Sequence, residues 1–202
     1  MPSTDSRAQS TPPVVGSGLI RERIITAPPF ARLRIASVFR ATFSLDPDFH
    51  DHVTLRFRAD DNVLPHVQAR LREGVLHIIL DRGHYRDLSE LSVSARLGEL
   101  SELVCGGTSH VSARGNARNL HIAAGDASEV SFEGSAERMS LHGSGTARLR
   151  AEHANDARIE LAGVSSARIV ARRSVVGRVR FPCQLSVACP GAVEIAGAYR
   201  SE

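Results

Sequence analysis

Glu-Leu-Val-Cys-Gly-Gly-Thr-Ser-His-Val-Ser-Ala (Glu102 to Ala113) returns three times further along the chain. It comes back as His-Ile-Ala-Ala-Gly-Asp-Ala-Ser-Glu-Val-Ser-Phe (His121 to Phe132), as Ser-Leu-His-Gly-Ser-Gly-Thr-Ala-Arg-Leu-Arg-Ala (Ser140 to Ala151) and as Glu-Leu-Ala-Gly-Val-Ser-Ser-Ala-Arg-Ile-Val-Ala (Glu160 to Ala171). In this alignment Leu103, Ile122, Leu141 and Leu161 form one column at nearly even spacing, and Phe181 extends it. A fixed period of roughly 20 residues marks a solenoid, in which each coil stacks on the one before.

A second apolar column holds Val111, Val130, Leu149 and Ile169. Ala113, Phe132, Ala151 and Ala171 follow it by two residues, and Leu120, Met139, Ile159 and Val179 precede the first column by two. Apolar residues two apart give the period of a strand. Between the two columns lies a corner of small residues: Cys105-Gly106-Gly107, Ala124-Gly125, Gly143-Ser144-Gly145 and Gly163. Glycine supplies the positive φ that a tight bend requires. Each repeat therefore reads strand, corner, strand, polar return. The expected fold is all-β: a right-handed parallel β-helix, or β-solenoid, with one repeat per coil and irregular capping strands at its N-terminal end. A helical reading fails, because the repeats lack the i, i+3, i+4, i+7 spacing. A β-sandwich of meander strands is the rival architecture.

The outward positions carry charges of both signs. His110, Glu129, Arg148 and Arg168 flank the second column, and Arg114, Glu133, Glu152 and Arg172 lie just beyond it. Such a surface is a solvated face or a candidate ligand face, and these eight residues are the candidates. No catalytic set emerges. Glycoside hydrolysis needs two carboxylates at a set separation, and Glu133 and Glu152, one coil apart in one column, stand too near for an inverting pair. Gly143-Ser144-Gly145 falls in a repeat corner and is no nucleophile elbow. The densest polar cluster, Asp46-Pro47-Asp48-Phe49-His50-Asp51-His52, has metal-binding side chains. Its spacing fits no known loop, so it reads as a turn between strands. No cofactor is expected.

The first hundred residues alternate as well. Arg32 to Ile35, Phe39 to Phe43, Val53 to Arg58 and Leu91 to Leu97 read as strands, and Val67 to Leu80 as a hairpin turning at Arg72-Glu73-Gly74. No linker separates the halves. The expected organisation is a disordered lead over residues 1–17 and one solenoid domain over 18–202, with irregular early coils at 18–97 and regular repeats at 98–200.

Composition narrows the function classes. The 202 residues carry a formal charge of only +3, and all 25 basic residues are arginine. They are scattered among acids and lack aromatic stacking platforms, which argues against nucleic-acid binding. No apolar run is long enough for a membrane span. Met1 to Pro13 has no apolar segment of the signal-peptide kind, so a chain starting at Met1 is expected to stay in the cytoplasm. The three cysteines read as small buried hydrophobes.

One resemblance joins these readings. Gly18 to Arg23, Pro29-Phe30-Ala31-Arg32-Leu33-Arg34-Ile35, Val53-Thr54-Leu55, Ala59-Asp60-Asp61-Asn62-Val63-Leu64 and Arg70 to Ile78 follow one another, ahead of the Gly-corner repeats, in the order of the head GIN domain of putative auto-transporter adhesins. The chain resembles that family over most of its length, the N-terminal lead excepted. The resemblance implies a right-handed parallel β-helix, export to the bacterial cell envelope, and no agreed catalytic residues. The corner at Val164 is poorer in glycine than its neighbours. The expected function is a non-enzymatic binding or interaction module contacting a glycan or a protein. The alternatives are a carbohydrate-active enzyme on the same scaffold, or a structural unit that forms homo-oligomers through the solenoid ends.

Overall fold

Alternation of apolar and polar residues drives the first half of the chain into short strands: β1 (Val14–Val15), β2 (Ile20–Ala27), β3 (Arg32–Ile35), β4 (Arg40–Leu45), β5 (Val53–Asp60), β6 (Val67–Arg72), β7 (Val75–Leu80), β8 (Tyr85–Arg86) and β9 (Leu91–Leu97). In β5, for example, Val53, Leu55, Phe57 and Ala59 are buried while Thr54, Arg56 and Arg58 face out. This computed structural model describes residues 12–81 and 83–201. Most of the expected disordered lead, residues 1–11, lies outside the described residues. Val14 and Val15, at its end, pair in parallel with Tyr85 and Arg86.

Antiparallel pairing is confined to this half. β2 pairs with β5, β5 with β9, and β6 with β7. The hairpin of β6 and β7 turns where the sequence places it, with Arg72 opposite Val75 and positive φ at Glu73 and Gly74. The other strands of this half lead into parallel pairing. β9 pairs in parallel with β4, and β7 with β3. The sheet is therefore mixed, and it is open rather than closed into a barrel.

The second half is parallel throughout. Its strands are β10 (Glu102–Cys105), β11 (His110–Ala124), β12 (Glu129–Gly143), β13 (Arg148–Leu161), β14 (Ser166–Val179), β15 (Gln184–Ala188), β16 (Ala192–Ala196) and β17 (Arg200–Ser201). β3 feeds β10, β4 feeds β11, and the ladder then runs β11, β12, β13, β14 and β15. Leu103 pairs with Ile122 and Ile122 with Leu141, as the repeat spacing requires.

The next step of the column differs from the alignment. Leu141 pairs with Ile159, not Leu161. Leu149 pairs with Ala167, not Ile169, and Ala151 with Ile169. The rung is two residues shorter than the alignment of Leu141 with Leu161 requires. A slip of two leaves every side chain on its own face of the strand, so the inward and outward assignments survive. Phe181 is a true exception. It lies outside the strands and is 97% exposed, while Cys183, Leu185 and Val187 are buried.

The core changes character along the chain. Phe39, Phe43 and Phe57 are buried in the N-terminal part, and the later rungs are filled by Ile122, Leu141, Leu149, Ala151 and Ile169, with Phe132 between them. The corners repeat in detail. Ser37, Gly107, Asp126, Gly145 and Gly163 all have positive φ. At Gly145 a Cβ would lie 2.6 Å from the Asp126 carbonyl oxygen, so the stacked corners leave no room for one. Beside the corners runs a buried column of small side chains: Ser109, Ser128, Ala147, Ser165 and Cys183. Each serine hydroxyl donates to a corner carbonyl three residues earlier, at 2.7 to 2.9 Å, which meets the rule that buried polar groups be paired. Burial pushes the Cys105 thiol up to about 12, so it stays protonated and unreactive. Cys183 is buried as expected of a small hydrophobe, whereas Cys189 is only half-buried.

Asp60 is the buried carboxylate that ties the early strands together. It accepts the Gly18 N–H at 2.7 Å and the Ser89 N–H at 2.9 Å. Burial alone would raise its pKa. Hydrogen bonds from Gly18, Ser89 and the Glu90 backbone outweigh that effect and hold the carboxyl below the usual carboxylate range. A depressed folded pKa gives stability that is present above the unfolded value of about 3.9 and is lost as pH falls through the folded value. The melting temperature is therefore expected to fall below about pH 4. Asp60→Asn is expected to melt lower at neutral pH and to flatten that acid limb, as a thermal-melt series from pH 3 to 7 will read.

Candidate functional site

The outward columns of β11 to β15 are set by the parallel register. Arg40, His110, Glu129, Arg148, Ser166 and Gln184 lie on successive rungs. Three of the four residues expected in this column are there, and His110 Nε2 lies 3.7 Å from Glu129 Oε2. Arg168 is not in it. It pairs with Arg150, in the neighbouring outward column. The cause is the same two-residue slip that moves Leu161 and Ile169. Arg148, Arg168 and Glu129 still converge on one cleft, since both columns face the same way.

The second expected column breaks after two residues. Arg114 pairs with Glu133, but the ladder between β12 and β13 is interrupted from Phe132 to Ala136. Glu133 has no register partner in β13, so Glu133 and Glu152 do not form the stacked carboxylate column of the alignment. Glu152 and Arg172 sit where the long strands bend. Gly115, Gly134 and His153 all take positive φ at this bend.

The bend opens a groove of about 820 Å³. Asn116 and Ser135, then Arg118 and Glu137, then Asn155 and Arg172 rise from its strand side. Ser135 donates its hydroxyl to Asn116 Oδ1 at 2.7 Å. Buried Phe30 and Ala136 contribute apolar surface. The opposite wall is the turn at residues 46–52. Asp46 organises that turn: it accepts the Asp48 N–H at 3.0 Å, pairs with Arg96, and its own N–H donates to Leu97. The Arg96 guanidinium also stacks over Phe49, 5.3 Å from the ring centre. Asp46 is thus engaged as a structural group, while His50 and Asp51 face the groove.

Apart from Arg172, the groove was not among the expected site residues. Asn116, Ser135 and Asn155 lie in the polar return of each repeat, which has no apolar periodicity to single it out. What the groove can do is bind. It offers amides, hydroxyls and opposite charges beside an apolar surface, the usual make-up of a ligand cleft.

The model of the family described as "Putative auto-transporter adhesin, head GIN domain" matches residues 42–190. The chain belongs to that family. Solved structures share the chain's fold at low identity. A putative adhesin from Parabacteroides distasonis is 19% identical with a TM-score of 0.67, over 90% of this chain and 84% of that one. A putative adhesin from Bacteroides fragilis is 14% identical with a TM-score of 0.71, over 94% of this chain and all of the other. A structure named as a putative lipid binding protein, also from Parabacteroides distasonis, is 11% identical with a TM-score of 0.57, over 95% of this chain and all of that one. No curated protein sequence matches the chain. Among the described residues no helix is long and apolar enough to cross a membrane.

Proposed function

We propose that this GIN domain is a non-enzymatic binding module that engages a glycan through the groove at the strand bend. The scaffold in this reading is one β-solenoid from residue 18 onward. Its parallel rungs keep a nearly constant step, and its connections take the right-handed sense that parallel crossovers favour. The parallel ladder from β10 to β15 and the single apolar core shared by both halves support it.

The observation that carries the binding role is the groove itself. Polar side chains recur there on consecutive rungs, roughly 4.8 Å apart, along an apolar surface. That is the layout suited to an extended chain of hydroxylated rings. The family's adhesin names agree with a binding role.

A glycan array with the intact protein tests it. Asn116→Ala with Asn155→Ala is expected to weaken any hit about thirtyfold, since each lost hydrogen bond is worth roughly 1 kcal/mol, and no sugar product is expected to be released. Unchanged binding by the double variant would remove the groove from the account. Release of reducing sugar, abolished at Glu129 or Glu133, would replace the proposal with an enzyme.

A further inference from the structure

A second cleft, of about 650 Å³, lies at the C-terminal end of the ladder, apart from the bend groove. Arg148, Arg150, Arg168 and Arg200 line it, together with Tyr199 and Glu129. The register explains the concentration of charge. Arg150 pairs with Arg168, Arg168 with Ser186, and Ser186 with Arg200, so three arginines share one outward column. Arg148 stands two residues before Arg150 on the same face. All four arginines are exposed.

The Glu129 carboxylate lies 3.7 Å from His110 Nε2. Among the described residues that line the cleft are four guanidiniums and one carboxylate. A guanidinium is a planar fork that takes carboxylate and sulfate groups in bidentate fashion. Tyr199 is 42% exposed and offers a flat ring beside the row.

We infer that this cleft binds an anionic polysaccharide, whose acidic groups are received by Arg148, Arg150 and Arg200 while a sugar ring lies against Tyr199. Rungs spaced at roughly 4.8 Å present the charges in a line, so a linear polymer with repeated acidic groups meets them in turn. Single-stranded nucleic acid fits less well, because it requires a series of aromatic platforms and the cleft has one ring.

Calorimetric titration of the intact protein tests this with heparin as the sulfated probe, polygalacturonate as the carboxylated one and dextran as the neutral control. Either acidic polymer is expected to bind and dextran is not, with affinity falling as salt screens the charges. Arg150→Ser with Arg200→Ser is expected to cost at least about tenfold in affinity. Arg21→Ser with Arg70→Ser removes the same net charge elsewhere and is expected to leave binding unchanged. Should the serine pair melt early, Arg150→Lys with Arg200→Lys keeps the charge and is expected to lose several-fold through the missing forks. Equal losses in both serine pairs, equal binding of dextran, no binding of either polymer, or tighter binding to duplex DNA or phosphatidylglycerol vesicles would each overturn the inference.

Discussion

Leu141→Asp is expected to lower stability by about 4 kcal/mol or more, enough to unfold much of the protein at ambient temperature. Leu141 is 1% exposed and lies between Ile122 and Ile159 in the central apolar column. An aspartate there faces no cation, and a buried ion without a partner costs far more than the lost apolar contact. Arg148→Ala, one strand arm away on the outward face, is expected to cost less than about 1 kcal/mol, because an exposed charge gains little from its neighbours. Urea denaturation of the two variants reads the difference. Equal midpoints would mean that the inward and outward faces have been confused.

Gly134→Ala is the second large effect. Gly134 has φ of 138°, and a Cβ there would sit 1.9 Å from the Gly115 carbonyl oxygen. The neighbour is backbone in the next rung, so no side chain can swing aside. Relief requires the bend itself to open, and the cost is expected to be roughly 3 kcal/mol. In a chain of this size that is a fall in melting temperature of about 10 °C. Gly106→Ala is the matched control: its nearest neighbour is the Asp126 carboxylate at 3.4 Å, and the change is expected to stay within about 0.5 kcal/mol. A calorimetric scan of both variants checks the pair. If Gly134→Ala melts with the parent, the close stacking at the bend is wrong.

The repeat made the parallel half legible, because Leu103, Ile122 and Leu141 keep one spacing and one face. Legibility failed at Leu161 and Ile169. There two apolar residues stand two apart and either fits the column, so likeness alone favours Leu161 and Ile169 where the ladder takes Ile159 and Ala167. The same ambiguity misplaced Arg168. The apolar side chain of Phe181 alone suggests an inward place, yet the residue sits in the link before β15. The antiparallel pairing of β2, β5 and β9 had no signal of its own, since alternation announces a strand without naming its partner. The bend groove was hidden for a related reason. Asn116 and Asn155 become neighbours only when the polar returns stack, and polar returns carry no period. The basic cleft required both the register and the return of Arg200 to the ladder in β17.

Cross-strand backbone contacts measured by NMR test the stacking most directly. Nuclear Overhauser effects are expected between Ile122 and Leu141 and between Leu141 and Ile159, in the parallel pattern. Contacts joining Leu141 to Leu161, or an antiparallel pattern between those segments, would contradict the register on which both clefts depend.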